Sequence, residues 1–152
     1  MKVRPTQSRD IPALETILSA TGLFPTEMLP ELIQGFLSGE VDDEHWLTCE
    51  LDGTVIGFCY AVQEQLTEGT WNMRAIGVLP GVQHRGAGSA LVAALQGDLK
   101  KAGHRVLILD TSGAPEFLAA QKFYRACGFT EEARIRDFWT AGEDKIVFWK
   151  AL

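Results

Sequence analysis

The sequence is poor in the features that mark a secreted, membrane-spanning or metal-bound chain. Only three cysteines occur, Cys49, Cys59 and Cys127, and none stands in a C-x-x-C pair. An odd, scattered set excludes a disulfide framework and a thiolate metal site, and reads as reduced thiols used as small core residues. His45, His84 and His104 are equally scattered, with no second histidine or carboxylate at helical ligand spacing, so no metal is expected. No apolar run approaches the roughly 18 residues that cross a bilayer. The opening MKVRPTQSRDIP has no apolar core of a secretory signal, so a cytoplasmic protein without a membrane partner is expected. Positive charge is also scarce. The 14 Lys+Arg face 20 Asp+Glu for a formal net charge of -6, which opposes binding to phosphate backbones and argues against nucleic acid as a partner.

What is present is a hydrophobic content of 46% over 152 residues, enough for one domain, 1–152, with a real core. Lys2 to Pro5 reads as a short edge strand, since proline donates nothing to a ladder. Asp10 stands as an N-cap with Pro12 in the first turn, and Ile11, Leu14, Ile17 and Leu18 recur at helical spacing until Gly22. A second helical pattern follows Pro25 through Met28, Leu32, Ile33, Phe36 and Leu37. From His45 the period becomes two. Asp52-Gly53 between β-rich arms is a hairpin signal, and a further turn near Glu68-Gly69 leads into TWNMRAIGV, predicting three antiparallel strands.

The connectivity then changes. Leu91, Val92, Leu95 and Leu99 mark one helical face ending at Gly103, and Val106 to Leu109 is a continuous apolar run, as in a strand buried on both faces. Strand, glycine turn, helix and buried strand make a βαβ unit, so the strands around Ile76 and Ile108 are expected to run parallel. Pro115 opens another helix through Tyr124, and two final strands join at Ala141-Gly142. The fold class is α/β (α+β): a mixed, mostly antiparallel sheet with one parallel crossover and flanking helices.

The chemistry concentrates in GVQHRGAGSAL, residues 81 to 91. A helix start leaves about four backbone N–H groups without internal partners, and its dipole favours negative charge. Gly86 and Gly88 let that backbone approach a phosphate or pyrophosphate closely. Read as a P-loop, the stretch has Ala87-Gly88 where Lys and Ser/Thr are required, which disfavours an NTPase. As a dinucleotide fingerprint it has Leu91 in place of the third glycine, which weakens that reading too.

Gln83-His84-Arg85-Gly86-Ala87-Gly88 resembles the Q/R-x-x-G-x-G/A signature of the GCN5-related N-acetyltransferase (GNAT) superfamily. Ala120 to Phe129 is similar to its A-x-x-x-Y-x-x-x-G-F segment, and VRPTQSRDIPAL to its common first strand and helix. The resemblance covers nearly the whole chain. It implies the acyl-CoA N-acyltransferase fold, acetyl-CoA as cosubstrate, and direct acetyl transfer to a primary amine. It further implies that backbone amides from His84 through Arg85, Gly86, Ala87 and Gly88 to Ser89, with Gln83 beside them, hold the pyrophosphate. Ile76 and Val78 would contact the pantetheine arm, with a backbone N–H near Val78 as oxyanion donor, and Tyr124 would be the general acid. Where relatives often place Glu or Asp as base, this chain has Asn72, an amide that orients a water or amine but takes up no proton at neutral pH. Glu68 and Asp137 are the carboxylates weighed as substitutes. The alternative left open by Asn72 is a non-catalytic acyl-CoA-binding module.

The resemblance implies an acceptor pocket lined from Phe24, Met28, Trp71, Met73, Phe138 and Trp139, with Trp46 and Trp149 expected in the core. The acceptor expected is a small-molecule or peptide amine, and the acidic chain favours a cationic one. The tail RIRDFWTAGEDKIVFWKAL resembles a bacterial subgroup of the superfamily, and a homodimer is a further expectation.

Overall fold

A computed structural model describes residues 1–152. The elements run β1 (Lys2–Pro5), α1 (Ile11–Thr21), α2 (Leu29–Ser38), β2 (Glu44–Leu51), β3 (Thr54–Gln63), β4 (Thr70–Val78), α3 (Ala87–Lys101), β5 (Val106–Ser112), α4 (Leu118–Ala126), β6 (Thr130–Thr140) and β7 (Glu143–Ala151). One seven-stranded sheet has the order β1-β2-β3-β4-β5-β7-β6. Every neighbouring pair is antiparallel except β4 and β5, which run parallel as the βαβ pattern requires. The Asp52-Gly53 hairpin forms with φ of 51° and 81°, two left-handed residues whose twist matches that of the flanking strands.

Two apolar layers sandwich the sheet. On one face Leu14, Ile17 and Leu18 of α1 and Leu29 and Ile33 of α2 pack on Trp46, Phe58, Tyr60 and Ala75. On the other, Leu91, Leu95 and Leu99 of α3 cover Leu47, Cys59, Trp71, Met73, Leu107 and Phe148. Each leucine so enclosed contributes about 1.5–3 kcal/mol of transfer free energy, which is why the three-and-four spacing alone located α3. No helix is long and apolar enough to cross a membrane.

Two local expectations are corrected. Asp10 is the N-cap residue of α1, as expected, but it adopts helical backbone angles and its side chain bonds to no N–H of that helix. Its carboxylate instead accepts two N–H bonds from Arg4 at 2.7 and 2.8 Å and one from the Gln7 backbone at 2.8 Å. Arg4 also reaches Glu50 at 2.6 Å, so β1, α1 and β2 are tied through one guanidinium. Trp149, expected in the core, is 37% exposed, whereas Trp46 is fully buried. On β7 it is Ile146 and Phe148 that meet the helices, and Trp149 has the opposite parity, on a face that α1 and α2 do not reach.

The Arg4 cluster carries a pH prediction. Arg4 holds the Asp10 carboxyl below its ordinary value of 3.8. A depressed carboxylate stabilises the fold above that ordinary value, and the contribution is lost as pH falls through the lower folded value. Arg4→Ala leaves Asp10 buried and unpaired, and is expected to cost about 3 kcal/mol in urea unfolding at pH 7. The difference from the parent should shrink below about pH 4, the unfolded carboxylate range.

Candidate active site

The sheet is forked. Parallel pairing between β4 and β5 holds only from Thr70↔Val106 to Asn72↔Ile108, after which β5 continues with β7 while β4 diverges. A register shift at Tyr60/Ala61 leaves Arg74 as an extra residue on β4, because Tyr60 pairs Ala75 and Ala61 pairs Met73. Such a bulge bends a strand and increases its local twist. The open fork frees one edge of β4 just where it meets α3.

A cleft of about 700 Å³ fills that opening. Its walls are Ile76, Gly77 and Val78 of β4, the turn and first residues of α3 from Gln83 to Ser89 without Arg85, and Ala119, Ala120, Lys122, Phe123, Tyr124 and Ala126 of α4. Despite the net charge of -6, none of the lining residues is acidic. Between Gln83 and Ser89 no backbone N–H donates to another backbone group or side chain; the first bond of α3 is Ala90 N–H to Gly86 C=O at 2.9 Å. His84 and Gly86 have φ of 67° and 90°. Left-handed residues next to a helix start curl successive amides inward to form a cradle for an anion. The dipole of the 15-residue α3 adds positive potential at the same point. At Gly88 the two helices approach closely: a Cβ there would lie 3.0 Å from the Phe123 ring on α4, tighter than an ordinary contact. The Gln83 side chain donates to the Val78 carbonyl at 3.2 Å and so fixes the loop to β4.

Tyr124 is the polar side chain of the α4 wall with an ionisable hydroxyl. Its ring packs near Phe129 and Phe148, with centroids 6.3 and 5.7 Å away, and the hydroxyl bonds to no protein group. Burial pushes its pKa up to about 12, so it carries its proton throughout the ordinary working range. The α4 wall is held by Gln121, a buried residue of the helical pattern to which sequence reasoning gave no role, whose Nε2 donates to the Ser112 carbonyl at 2.9 Å. Gly128 turns the chain with φ of 92°, and Phe129 after it is buried, which accounts for the Gly-Phe pair.

Asn72 and Arg85 do not line the cleft. Asn72 is 3% exposed on the last β4–β5 pair. Its Nδ2 donates to Glu64 Oε1 at 2.9 Å, and its Oδ1 is buried with no partner. Glu64 was missed in the sequence; the hint was its parity with Tyr60 and Val62 on β3. Neither carboxylate weighed earlier is placed beside Asn72. The Asp137 carboxylate accepts the Gly142 N–H within the β6–β7 hairpin, and Glu68 lies in the β3–β4 turn with its carbonyl bonded to Arg105.

A second hollow of about 220 Å³ lies on the α1–α2 face, lined by Phe24, Leu32, Tyr60, Val62, Arg74 and Ala75. Along β4 it occupies Arg74 and Ala75, and the large cleft begins at Ile76. Of the side chains expected around an acceptor, Phe24 is here. Trp71 and Met73 are 3% and 4% exposed beneath α3, because β4 alternates faces and Asn72 takes the other one. Met28, Phe138 and Trp139 are exposed and line neither cavity.

Comparison with known proteins agrees with this geometry. The model of the acetyltransferase (GNAT) family matches residues 11–129. The chain belongs to that family. An aminoglycoside N(6')-acetyltransferase type 1 from Stenotrophomonas maltophilia is 33% identical over 123 residues, 75% of this chain and 77% of that one. A GNAT-family protein from Desulfovibrio desulfuricans superposes with a TM-score of 0.90 at 28% identity, covering 99% of this chain and 98% of that chain. The fold is shared with a Salmonella typhimurium protein solved with acetyl-CoA, at a TM-score of 0.81 and 17% identity over 100% of this chain and 94% of that one. The protein is thus an N-acetyltransferase of GNAT fold that uses acetyl-CoA. The free amides, the acid-free lining and the fork of this acetyltransferase fit a ligand with a diphosphate at one end and an amide-bearing arm.

Proposed function

We propose that the enzyme moves the acetyl group of acetyl-CoA directly to a primary amine of a cationic small molecule, the two substrates meeting at the β4 bulge. The observation that carries this reading is the order of cavities on one strand: Arg74 and Ala75 border the small hollow, and Ile76 to Val78 border the cleft. The amides of Gln83 to Ser89 hold the diphosphate, and the β4 edge at Ile76 and Val78 bonds the pantetheine amides as a missing strand would. When bound, acetyl-CoA supplies a thioester carbonyl open to attack by an amine. A β4 N–H near Val78 stabilises charge on that oxygen, and Tyr124 donates its proton toward the departing sulfur. Arg85, outside the cleft lining, is assigned at most a long-range attraction for phosphate.

The acceptor is assigned to the aminoglycoside-like class. The relative with that activity supports it, as do the carboxylates near the hollow: Glu64 contacts Arg74 at 3.9 Å, and Glu44, raised by burial, lies beside Tyr60. Thiol release from acetyl-CoA should rise with aminoglycosides bearing a free 6′-amine and with spermidine, well above release with N-acetylated amino acids. Protection by acetyl-CoA against heat without thiol release for any amine would favour the binding-module alternative.

A further inference from the structure

We infer that Glu64, held in place by Asn72, is the group that takes the proton from the acceptor ammonium. The inference rests on the transfer reaction proposed above. It fills the gap at Asn72, the amide standing where a proton acceptor is needed. An ionised carboxylate only accepts hydrogen bonds, so the Asn72 amide turns its NH₂ toward Glu64, at 2.9 Å, and its oxygen away. That oxygen is buried with no partner, and it sits on the last rung before the fork opens. A buried carbonyl left unpaired is costly, and an N–H or a water placed beside it relieves that cost.

Glu64 follows the last residue of β3, two positions after Val62 and four after Tyr60, both of which line the small hollow. Its carboxylate lies on that side too, because Arg74, another lining residue, is 3.9 Å from the same oxygen that Asn72 holds. The Glu64 side chain is 31% exposed, so an acceptor or its water has access. The charged groups around it are Arg74 on β4, and Asp43, whose backbone carbonyl accepts the Gln63 N–H, with Glu44 next along β2. The Arg74 contact is long and its side chain 55% exposed, a pairing that an incoming ammonium can displace.

The proton balance closes with these groups. Glu64, directly or through one water, receives a proton from the ammonium, and the nitrogen lone pair then forms the N–C bond as the C–S bond breaks. The sulfur keeps the electron pair of that bond and receives a proton from Tyr124. The nitrogen sheds its second proton to water, from which Tyr124 is reprotonated. The proton on Glu64 is the one released to solvent in the net reaction.

The test compares wild type, Glu64→Gln and Glu64→Asp by thiol release from pH 6 to 10, with three probes: an aminoglycoside bearing a free 6′-amine, spermidine and n-butylamine. Acetyl-CoA affinity, measured alongside, is expected to stay unchanged and reports a folded cleft. For Glu64→Gln, kcat/KM should fall about 100-fold at pH 7. The deficit should close to within about threefold near pH 10, where amines of pKa about 10.4 supply their own neutral form. Glu64→Asp should recover part of the rate at neutral pH. A ratio of wild type to Glu64→Gln that is constant across pH overturns the assignment, since a merely structural residue lowers the whole profile in parallel. Equal rates at pH 7 overturn it as well. A wild type that binds acetyl-CoA yet releases no thiol above blank with any probe overturns the transfer reading, and this role with it.

Discussion

Replacing Tyr124 with phenylalanine is expected to lower kcat about 100-fold or more, with acetyl-CoA affinity and thermal stability close to those of the parent. The separation of effects follows from the geometry. The Tyr124 ring is wedged against Phe129 and Phe148, and phenylalanine keeps those contacts, while the hydroxyl bonds to no protein group and its removal strands no partner. Burial that raises its pKa to about 12 also keeps the proton in place, so Tyr124 contributes no alkaline loss of activity below about pH 11. A tyrosine this weakly acidic protonates a thiolate of ordinary basicity, pKa about 8.5, only uphill. The burial that raises the tyrosine also raises the basicity of a thiolate formed beside it, narrowing that gap. Stopped-flow thiol detection with the tyrosine and phenylalanine forms, from pH 6 to 10, checks both the size of the loss and the absence of an alkaline limb.

The second large effect is on binding. Gly86→Ala should weaken acetyl-CoA about 100-fold, the loss of one to two hydrogen bonds to a charged group at roughly 1.5–3 kcal/mol each. A Cβ at Gly86 meets nothing within 4 Å, so space is not the cause. Its φ of 90° is one that a side chain strains by roughly 1–2 kcal/mol, and relaxing that strain turns the following amides away from the anion. Gly53 provides the control, because it too is left-handed, with φ of 81° and nothing within 4 Å, but sits in the β2–β3 hairpin and does not line the cleft. Gly53→Ala should lose similar stability and retain full affinity. Isothermal titration with acetyl-CoA on both variants separates backbone strain from ligand contact.

Much of this site was legible in the residues. The glycines of the α3 turn, the period change at His45 and the apolar run after Gly103 fixed the βαβ unit, and with it the helix start and its unpaired amides. These are local signals, each read within a dozen residues. The faces of β4 were not legible. One extra residue at Arg74 shifts the alternation, so that Trp71 and Met73 lie beneath α3, while Ile76 and Val78 beyond it border the cleft. Nor was the partnership of Asn72 with Glu64, which depends on how far β3 extends before it turns. Trp149 was misread for a tertiary reason: periodicity reports which residues share a face, and not whether a helix covers that face. The β5–β7–β6 order puts the last hairpin at the sheet edge, where β6 is exposed along its length.

The direct test of the account is an amide NMR titration of the protein with acetyl-CoA. The N–H resonances from Gln83 to Ser89 are expected to shift together and saturably, Gly86 and Gly88 furthest, while those of Gly53 and Gly142 in the two hairpin turns stay in place. Saturable binding that leaves Gly86 and Gly88 unmoved would contradict it, because the diphosphate would then be held somewhere other than the start of α3.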